Sequence, residues 1–372
     1  MKAAPFAATT MLSNSATVGL LRRPVLAMAT PAVGTAEGDG MQTWIVDRCG
    51  PIDQRPLRRN EQDDPLPGPG QLRVRVSCCG VCRTDLHLAE GDLAPRRPQV
   101  VPGHEVVGRV DALGVGADRF AIGERVGVAW LAQTDGTCRF CRRGAENLCI
   151  EPRFTGWDID GGYADACLVD EAYAYRLPDS LDDEHAAPLL CAGIIGYRAL
   201  RCAAVPPGGR LGIYGFGASA HLTAQIALHQ GLRVHVLTRG EGNQKLAAEL
   251  GADSVGGPAD TAPEPLDGAI LFAPAGELVP VALRALDRGA TLAVAGIWLS
   301  DIPALDYAGE LFQERRLRSV TANTRSDGEQ LLALAERFAI RATTVAYPMA
   351  KAPEALADLA HDRFSGAAVL HN

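Results

Sequence analysis

The chain from about residue 207 to residue 297 alternates between apolar runs and helical segments, and this alternation constrains the fold most. The apolar runs are RLGIYGFG, RVHVLT, DGAILFAPA and ATLAVAGIW. The segments between them, AHLTAQIALHQ, NQKLAAELGA and ELVPVALRALDRG, have the composition and length of helices. Strands that alternate with helices form a parallel sheet with helices on both faces. The sequence therefore predicts an α/β fold with a doubly wound parallel sheet.

The turn between the first of these strands and its helix carries a glycine pattern, Gly215-x-Gly217-x-x-Ala220. Such glycines permit a tight turn and let the backbone approach a pyrophosphate at the helix N-terminus. The pattern alone is common, but its position between a strand and a helix makes it informative. It predicts a dinucleotide-binding turn.

The end of the next strand indicates which dinucleotide is bound. NAD-binding enzymes usually place an acidic residue there, which accepts a hydrogen bond from the ribose 2′-hydroxyl. This chain has Thr238 followed by Arg239, and a guanidinium suits a 2′-phosphate. We favour NADP(H), with Lys245 as a further candidate contact. The alternative is that Arg239 faces solvent and NAD(H) is bound less selectively.

The first part of the chain has a different pattern of apolar residues. From Met41 to about Cys191, segments such as QLRVRVSCCGVC show alternating apolar residues separated by Gly and Pro, which is typical of β structure. Residues 326–372 contain the helical segment GEQLLALAERFAI and β fragments. We predict a β-rich domain formed by residues 41–192 and completed by residues 326–372, with a dinucleotide-binding domain at residues 193–325.

Residues 1–40 are rich in Ala and Thr and show no clear periodicity. They are either a transit-like segment or a disordered tail that precedes an alternative start at Met41. We favour the tail, because the apolar and basic parts stand in the wrong order for a signal peptide.

The net charge and the distribution of the cysteines reduce the number of possible functions. A net charge of −8 argues against a nucleic-acid partner, and no apolar run approaches the length of a membrane span. The ten cysteines are clustered, which in a reducing compartment indicates metal binding or catalysis. We predict a cytoplasmic protein that uses a small-molecule substrate.

Three potential metal ligands of mixed type, Cys82, His104 and Cys191, are widely separated in the sequence. Taken singly, each is more typical of an ordinary core residue. Together they would form a Cys2His zinc site with an open fourth position, which is the catalytic pattern. Zinc in such a site can hold an alcohol as alkoxide by lowering its pKa.

From Met41 to the C-terminus the chain resembles the zinc-dependent alcohol dehydrogenases of the medium-chain dehydrogenase/reductase superfamily. The resemblance rests on the motifs GVCRTDLH, PGHEVVG, GADRFAIGERVG (residues 116–127), CRFCRRGAENLC, LLCAGIIGYRAL and YGFGASAHL. It implies a GroES-like catalytic domain plus a Rossmann domain, and hydride exchange between an alcohol and a nicotinamide.

The resemblance also implies roles for residues near the metal. Cys82, His104 and Cys191 match the catalytic zinc ligands. Glu105 matches an acidic neighbour of the metal, and Asp85 matches the carboxylate that orients the ligand imidazole.

Further matches concern the proton, the cofactor and the substrate. Thr84 matches the hydroxyl that takes the alcohol proton, and His87 matches the imidazole that passes it to solvent. Arg83 matches a contact to the cofactor pyrophosphate. Trp130 and Trp157 are candidates for the substrate pocket, although both could equally be core residues.

The segment LAQTDGTCRFCRRGAENLC stands where the resemblance implies a structural zinc held by four cysteines. Here Asp135 takes the first position, followed by Cys138, Cys141 and Cys149. Three interpretations remain open: Asp135 completes the zinc site, the site is empty, or Cys138 and Cys141 are redox-active. We favour the first.

We therefore predict a zinc-dependent alcohol dehydrogenase that assembles as a homo-oligomer. Two alternatives are a zinc-free quinone or enone reductase of the same superfamily and a non-enzymatic dinucleotide-binding protein. The three zinc ligands together with Thr84 and His87 argue against both alternatives.

Overall fold

A computed structural model of the chain describes residues 40–372. The predicted N-terminal tail, residues 1–40, lies outside the described residues apart from Gly40. The elements up to residue 203 are, in chain order, β1 (Met41–Val46), β2 (Leu57–Gln62), β3 (Gln71–Val81), α1 (Arg83–Glu90), β4 (Val106–Leu113), β5 (Arg125–Val128), β6 (Leu131–Gln133), β7 (Arg153–Phe154), β8 (Ala166–Asp170), β9 (Ala174–Arg176), α2 (Asp183–Ala186) and α3 (Ala192–Ala203).

The remaining elements complete two large sheets. They are β10 (Arg210–Tyr214), α4 (Ala218–His229), β11 (Arg233–Leu237), α5 (Glu241–Glu249), β12 (Ser254–Gly256), β13 (Leu266–Leu271), α6 (Leu278–Ala285), β14 (Leu286–Val294), β15 (Arg316–Ser319), α7 (Arg325–Phe338), β16 (Thr344–Pro348), α8 (Ala352–Ala360) and β17 (Ala367–His371).

One large sheet is built mainly from the first part of the chain. Its strand order is β16-β17-β3-β4-β5-β9, and β8 also pairs with β3. The long strand β3 shows why the sequence forms a sheet here: Leu72, Val74 and Val76 point into the core while Arg75 faces solvent. The strand β17 pairs antiparallel with β3, which brings the C-terminus to this sheet.

The other large sheet has the order β12-β11-β10-β13-β14-β15, and every neighbouring pair is parallel. Its strands β10 and β11 are buried on both faces beyond their first residue, and they consist mainly of apolar residues. This is the doubly wound order in which a dinucleotide binds at the carboxyl ends of the strands. The predicted α/β fold class is confirmed.

The strands β16 and β17 join the sheet that contains β3, and the strands β10 to β15 form the parallel sheet. The division into residues 41–192 with 326–372, and residues 193–325, stays a prediction, because residues 40–372 pack as one compact unit. No single helix in this part of the chain is long and apolar enough to cross a membrane. One bent pair of helical segments, Asp183–Leu190 with Ala192–Ala203, would be long and apolar enough when judged by length and composition alone. Most residues of Ala192–Ala203 are buried within the fold.

Candidate active site and second metal cluster

Four potential metal ligands from three parts of the chain converge on one point. Cys82 caps α1 directly after β3, His104 and Glu105 lie in the loop before β4, and Cys191 immediately precedes α3. One ligand atom from each lies within 4.8 Å of all the others. The His104 Nε2 atom lies 3.2 Å from the Cys191 sulfur, and the sulfurs of Cys82 and Cys191 are 3.9 Å apart. The fold thus brings the three predicted ligands together with Glu105.

A buried carboxylate fixes the orientation of the His104 ring. The Oδ1 atom of Asp85 lies 3.2 Å from His104 Nδ1 and accepts a hydrogen bond from the Gly103 amide. Its Oδ2 atom accepts hydrogen bonds from the Cys82 amide and the Tyr163 hydroxyl. With Nδ1 donating to Asp85, the Nε2 lone pair of His104 is directed toward the two sulfurs, as metal ligation requires.

The chemistry of the cluster suits a divalent cation. The hydrogen bond from Cys191 lowers the pKa of the Cys82 thiol well below its ordinary value, although burial acts in the opposite direction. Burial raises the pKa of the Glu105 carboxyl group well above its ordinary value. Two sulfurs, an imidazole and a carboxylate that are taken out of water together are stable as ligands of a cation, and zinc prefers this donor set.

The position of Glu105 depends on a glycine in the neighbouring strand. A Cβ atom on Gly80 would lie 1.9 Å from the Glu105 carboxylate, so no larger residue fits there. The absence of a side chain at Gly80 allows Glu105 to reach the cluster across β3. The pocket for this carboxylate is therefore built into the strand.

The two residues predicted to move the substrate proton lie on α1, three positions apart. Thr84 is buried, with its hydroxyl oxygen 3.6 Å from the Cys82 sulfur. His87 is nearer the surface, and its Nδ1 atom contacts the Asp92 carboxylate at 3.0 Å. Residues three apart on a helix share a face, so α1 aligns the two groups from the cluster outward.

Three aromatic rings form a stack beside the cluster. The Trp130 ring meets His104 edge to face at 4.8 Å and stacks on Phe154 at 4.9 Å and on Trp157 at 5.9 Å. The Arg96 guanidinium covers the Trp157 ring at 3.7 Å. Both predicted tryptophans thus share one aromatic wall. Phe154 was not predicted, because a single Phe in an irregular segment gives no sequence signal.

The glycine turn after β10 has the shape that a dinucleotide needs. Gly215 has a φ of +86°, and a Cβ atom there would lie 2.8 Å from the Ala273 amide nitrogen. Gly217 precedes α4 without a side-chain cap, which leaves the first amide groups of the helix available to an anion. Ala220 is fully buried under the turn. These features fit the pyrophosphate of a nicotinamide dinucleotide.

The end of β11 carries the predicted specificity residues. Thr238 is buried, whereas the side chain of Arg239 is 82% exposed. Arg83, the first residue of α1, and Arg239 contact the same carboxylate, that of Asp362. The side chain of Lys245 is turned toward Glu249 on the same helix.

A second cluster lies between β6 and β7. Asp135, Cys138, Cys141 and Cys149 each offer one ligand atom, and these atoms lie within 4.8 Å of one another. The Asp135 Oδ1 atom accepts hydrogen bonds from the amides of Thr137 and Cys138. The bond from the Cys138 amide is the main reason that the pKa of Asp135 falls to about 2.

The parallel sheet, its open glycine turn and the nearby sulfur–imidazole cluster together define a dehydrogenase. Residues 68–179 match the family described as the alcohol dehydrogenase GroES-like domain. The chain is 56% identical over 335 residues to a probable alcohol dehydrogenase, AdhA, of Mycobacterium tuberculosis, covering 89% of this chain and 97% of the relative. It is 32% identical to an alcohol dehydrogenase of Geobacillus stearothermophilus, covering 85% and 96%.

A solved structure agrees with these relatives. The cinnamyl alcohol dehydrogenase SbCAD4 of Sorghum bicolor superposes with a TM-score of 0.81 at 27% identity, covering 89% of this chain and 97% of the plant chain. The chain belongs to the alcohol dehydrogenases of the medium-chain dehydrogenase/reductase superfamily. It is an alcohol dehydrogenase with a small-molecule substrate.

Proposed function

We propose that this alcohol dehydrogenase interconverts an alcohol and an aldehyde or ketone with one zinc ion at Cys82, His104 and Cys191. The convergence of these three side chains with Glu105 carries the proposal. When bound, zinc supplies a Lewis acid that polarises the substrate oxygen. Asp85 keeps His104 in the tautomer that ligates, and Glu105 is a fourth potential ligand.

The protein side chains then have to remove the hydroxyl proton of the alcohol. Thr84 Oγ1 accepts this proton as its own hydroxyl proton moves on toward His87, and His87 passes a proton to solvent at the outer end of α1. With Nδ1 of His87 occupied by Asp92, its Nε2 atom is free to accept the proton. The aromatic wall of Trp130 and Trp157 borders the substrate and limits access of water to the site.

A nicotinamide dinucleotide completes the proposed site, and when bound it supplies the hydride acceptor or donor. The turn at Gly215, Gly217 and Ala220 holds the pyrophosphate, assisted by Arg83. Thr238 and Arg239 contact the 2′-substituent of the adenosine ribose. Because a guanidinium pairs better with a phosphate than with a hydroxyl, we propose NADP(H) as the preferred cofactor.

An initial-rate panel tests this function and the cofactor preference. We expect kcat/KM for alcohol oxidation to be at least about 10-fold higher with NADP than with NAD, the scale of one hydrogen bond to a charged group. The panel pairs aliphatic and benzylic alcohols with both cofactors, and the corresponding aldehydes with both reduced forms. Higher efficiency with NAD(H) would refute the preference, and no turnover of any pair would refute the proposed reaction.

We propose a second, structural zinc at Asp135, Cys138, Cys141 and Cys149. The geometry of Asp135 supports this, since its Oδ1 atom is engaged by two amides while the carboxylate retains a second oxygen for a metal. One carboxylate in place of one thiolate leaves the ligand charge unchanged.

We expect about two zinc ions per chain in the untouched protein and about one in the Asp135→Ala variant. Three sulfurs alone leave the fourth coordination position of the zinc without a protein ligand. Elemental analysis of the purified protein measures this. The control is Asp118→Ala, an exposed acid in a loop outside the cluster, which should keep both ions. One ion per chain in the untouched protein would contradict the proposal.

We also propose a homo-oligomer in a reducing cytoplasm. One edge of the parallel sheet is β15, whose four residues are all exposed. Large apolar side chains nearby are exposed as well, including Trp298, Tyr307 and Phe312. An open strand edge beside apolar residues suits a two-fold contact with a second copy. Five of the ten cysteines belong to the two proposed metal clusters, a use of cysteine that suits a reducing compartment.

A further inference from the structure

A single carboxylate joins the two arginines that are proposed to bind the cofactor phosphates. Asp362 lies in the connection between α8 and β17. Its Oδ1 atom lies 2.5 Å from Arg83 Nη2, and its Oδ2 atom lies 3.3 Å from Arg239 Nη2. The arginines come from distant segments, one at the start of α1 beside Cys82 and one at the end of β11. Asp362 thus stands between the two halves of the proposed phosphate site.

The charged residues next to Asp362 in the chain form their ion pairs with other groups, so they do not compete for its carboxylate. Its neighbours in the chain are paired elsewhere: His361 contacts Asp53, and Arg363 contacts Asp358. Among residues 40–372, no other carboxylate forms an ion pair with Arg83 or Arg239. One negative side chain therefore compensates two positive charges at this point.

The connection that carries Asp362 also lies close to the start of α5, the helix that follows β11. A Cβ atom on Gly242 would be 3.2 Å from the Ser365 hydroxyl oxygen, so the two segments are in near contact. Arg83 Nη2 also lies 3.5 Å from the Leu359 carbonyl oxygen. These contacts hold Asp362 beside the place where the adenosine ribose is proposed to bind.

We propose that Asp362 is a specificity-determining residue that competes with the cofactor phosphates for Arg83 and Arg239. The inference rests on the proposed function, in which these two arginines contact the dinucleotide. A carboxylate and a phosphate use the same guanidinium donors, so a bound phosphate has to displace Asp362. NADP(H) carries one phosphate more than NAD(H), and its binding is opposed more strongly.

The Asp362→Asn variant tests the proposal by binding rather than by turnover. Asp362 has a φ of +52°, a conformation that Asn tolerates well, so the backbone should keep its shape. We expect the Kd for NADPH to fall by about 3- to 10-fold, the scale of losing two exposed ion pairs, and the Kd for NADH to change less. The free ligand 2′,5′-ADP should also bind more tightly.

The measurement is a calorimetric or fluorescence titration of the zinc-loaded full chain with NADPH, NADH and 2′,5′-ADP. The decrease in the Kd for NADPH should be smaller at high salt, because interactions between exposed charges are screened. The matched control is Glu329→Gln, which removes the same charge from an exposed ion pair with Arg119 and should leave all three Kd values unchanged. Unchanged or weaker NADPH binding in Asp362→Asn overturns the inference.

The Arg239→Ala variant separates this inference from the proposed cofactor site. If Arg239→Ala weakens NADPH binding while Asp362→Asn does not tighten it, the cofactor site stands and the role of Asp362 is wrong. If Arg239→Ala leaves NADPH binding unchanged, the proposed 2′-phosphate contact is wrong, and the inference that rests on it falls as well.

Discussion

Replacing Cys191 with alanine should lower kcat/KM for alcohol oxidation by about 10³-fold or more. The Cys191 sulfur lies 3.2 Å from His104 Nε2 and 3.9 Å from the Cys82 sulfur, so its removal eliminates one ligand of the proposed zinc site. A metal acting as a Lewis acid is worth several kcal/mol of transition-state stabilisation, and about 1.36 kcal/mol corresponds to a tenfold change in rate. Zinc content should fall from about two ions to about one per chain.

The matched control is Cys202→Ala, a buried cysteine of the helix that begins directly after Cys191. It removes the same atom from a core position, and the variant should keep its zinc and its activity. Chelation of the untouched enzyme should reproduce the loss seen in Cys191→Ala. Activity that survives full removal of zinc would contradict the proposed mechanism and would favour the zinc-free reductase.

The sequence predicts the parallel sheet well because its central strands are buried on both faces. Strands β10 and β11 consist mainly of buried apolar residues, and the turn at Gly215 admits no side chain. The outer strands β12 and β15 were not predicted. They have three and four residues, and neither contains a fully buried side chain, so they lack the pattern that identifies a strand.

The candidate zinc ligands could be named from local motifs, because each motif fixes its own turn or helix start. Asp85, which orients the ligand His104, is the N3 residue of the capping box of α1 and contacts His104 only 19 residues away. Contacts between distant segments leave no such local signature. Asp362 is 279 residues from Arg83, and nothing in its own neighbourhood indicates that the two side chains meet.

Replacing Asp327 with asparagine should lower the free energy of unfolding by about 3 kcal/mol. The side chain of Asp327 is 1% exposed and lies within hydrogen-bond distance of Arg198, Arg201 and Thr324. It thereby ties the start of α7 to α3, the helix that begins next to the zinc ligand Cys191. Removing one partner of a buried ion pair costs about 3–5 kcal/mol, and we take the lower end because Arg201 is half exposed.

The difference in the free energy of unfolding between the untouched protein and Asp327→Asn should change with pH in one defined direction. Burial raises the pKa of Asp327, but hydrogen bonds from Thr324 and the charge of Arg198 outweigh burial and hold the pKa below its ordinary value. A carboxyl group whose pKa is lower in the folded state adds stability above its unfolded pKa of about 3.9, and this stability is lost as the pH falls further. The gap between Asp327→Asn and the untouched protein should therefore be constant near neutrality and shrink below about pH 4.

Urea unfolding of both proteins at a series of pH values measures the gap, with Glu336→Gln as the control from an exposed position of the same helix. That control should stay within about 0.5 kcal/mol of the untouched protein, as surface substitutions usually do. A gap below about 1 kcal/mol at neutral pH would show that Asp327 is not a main link between the helices. A gap that widens in acid would contradict the depressed pKa, because the asparagine cannot be protonated and only the aspartate can lose its stabilising charge.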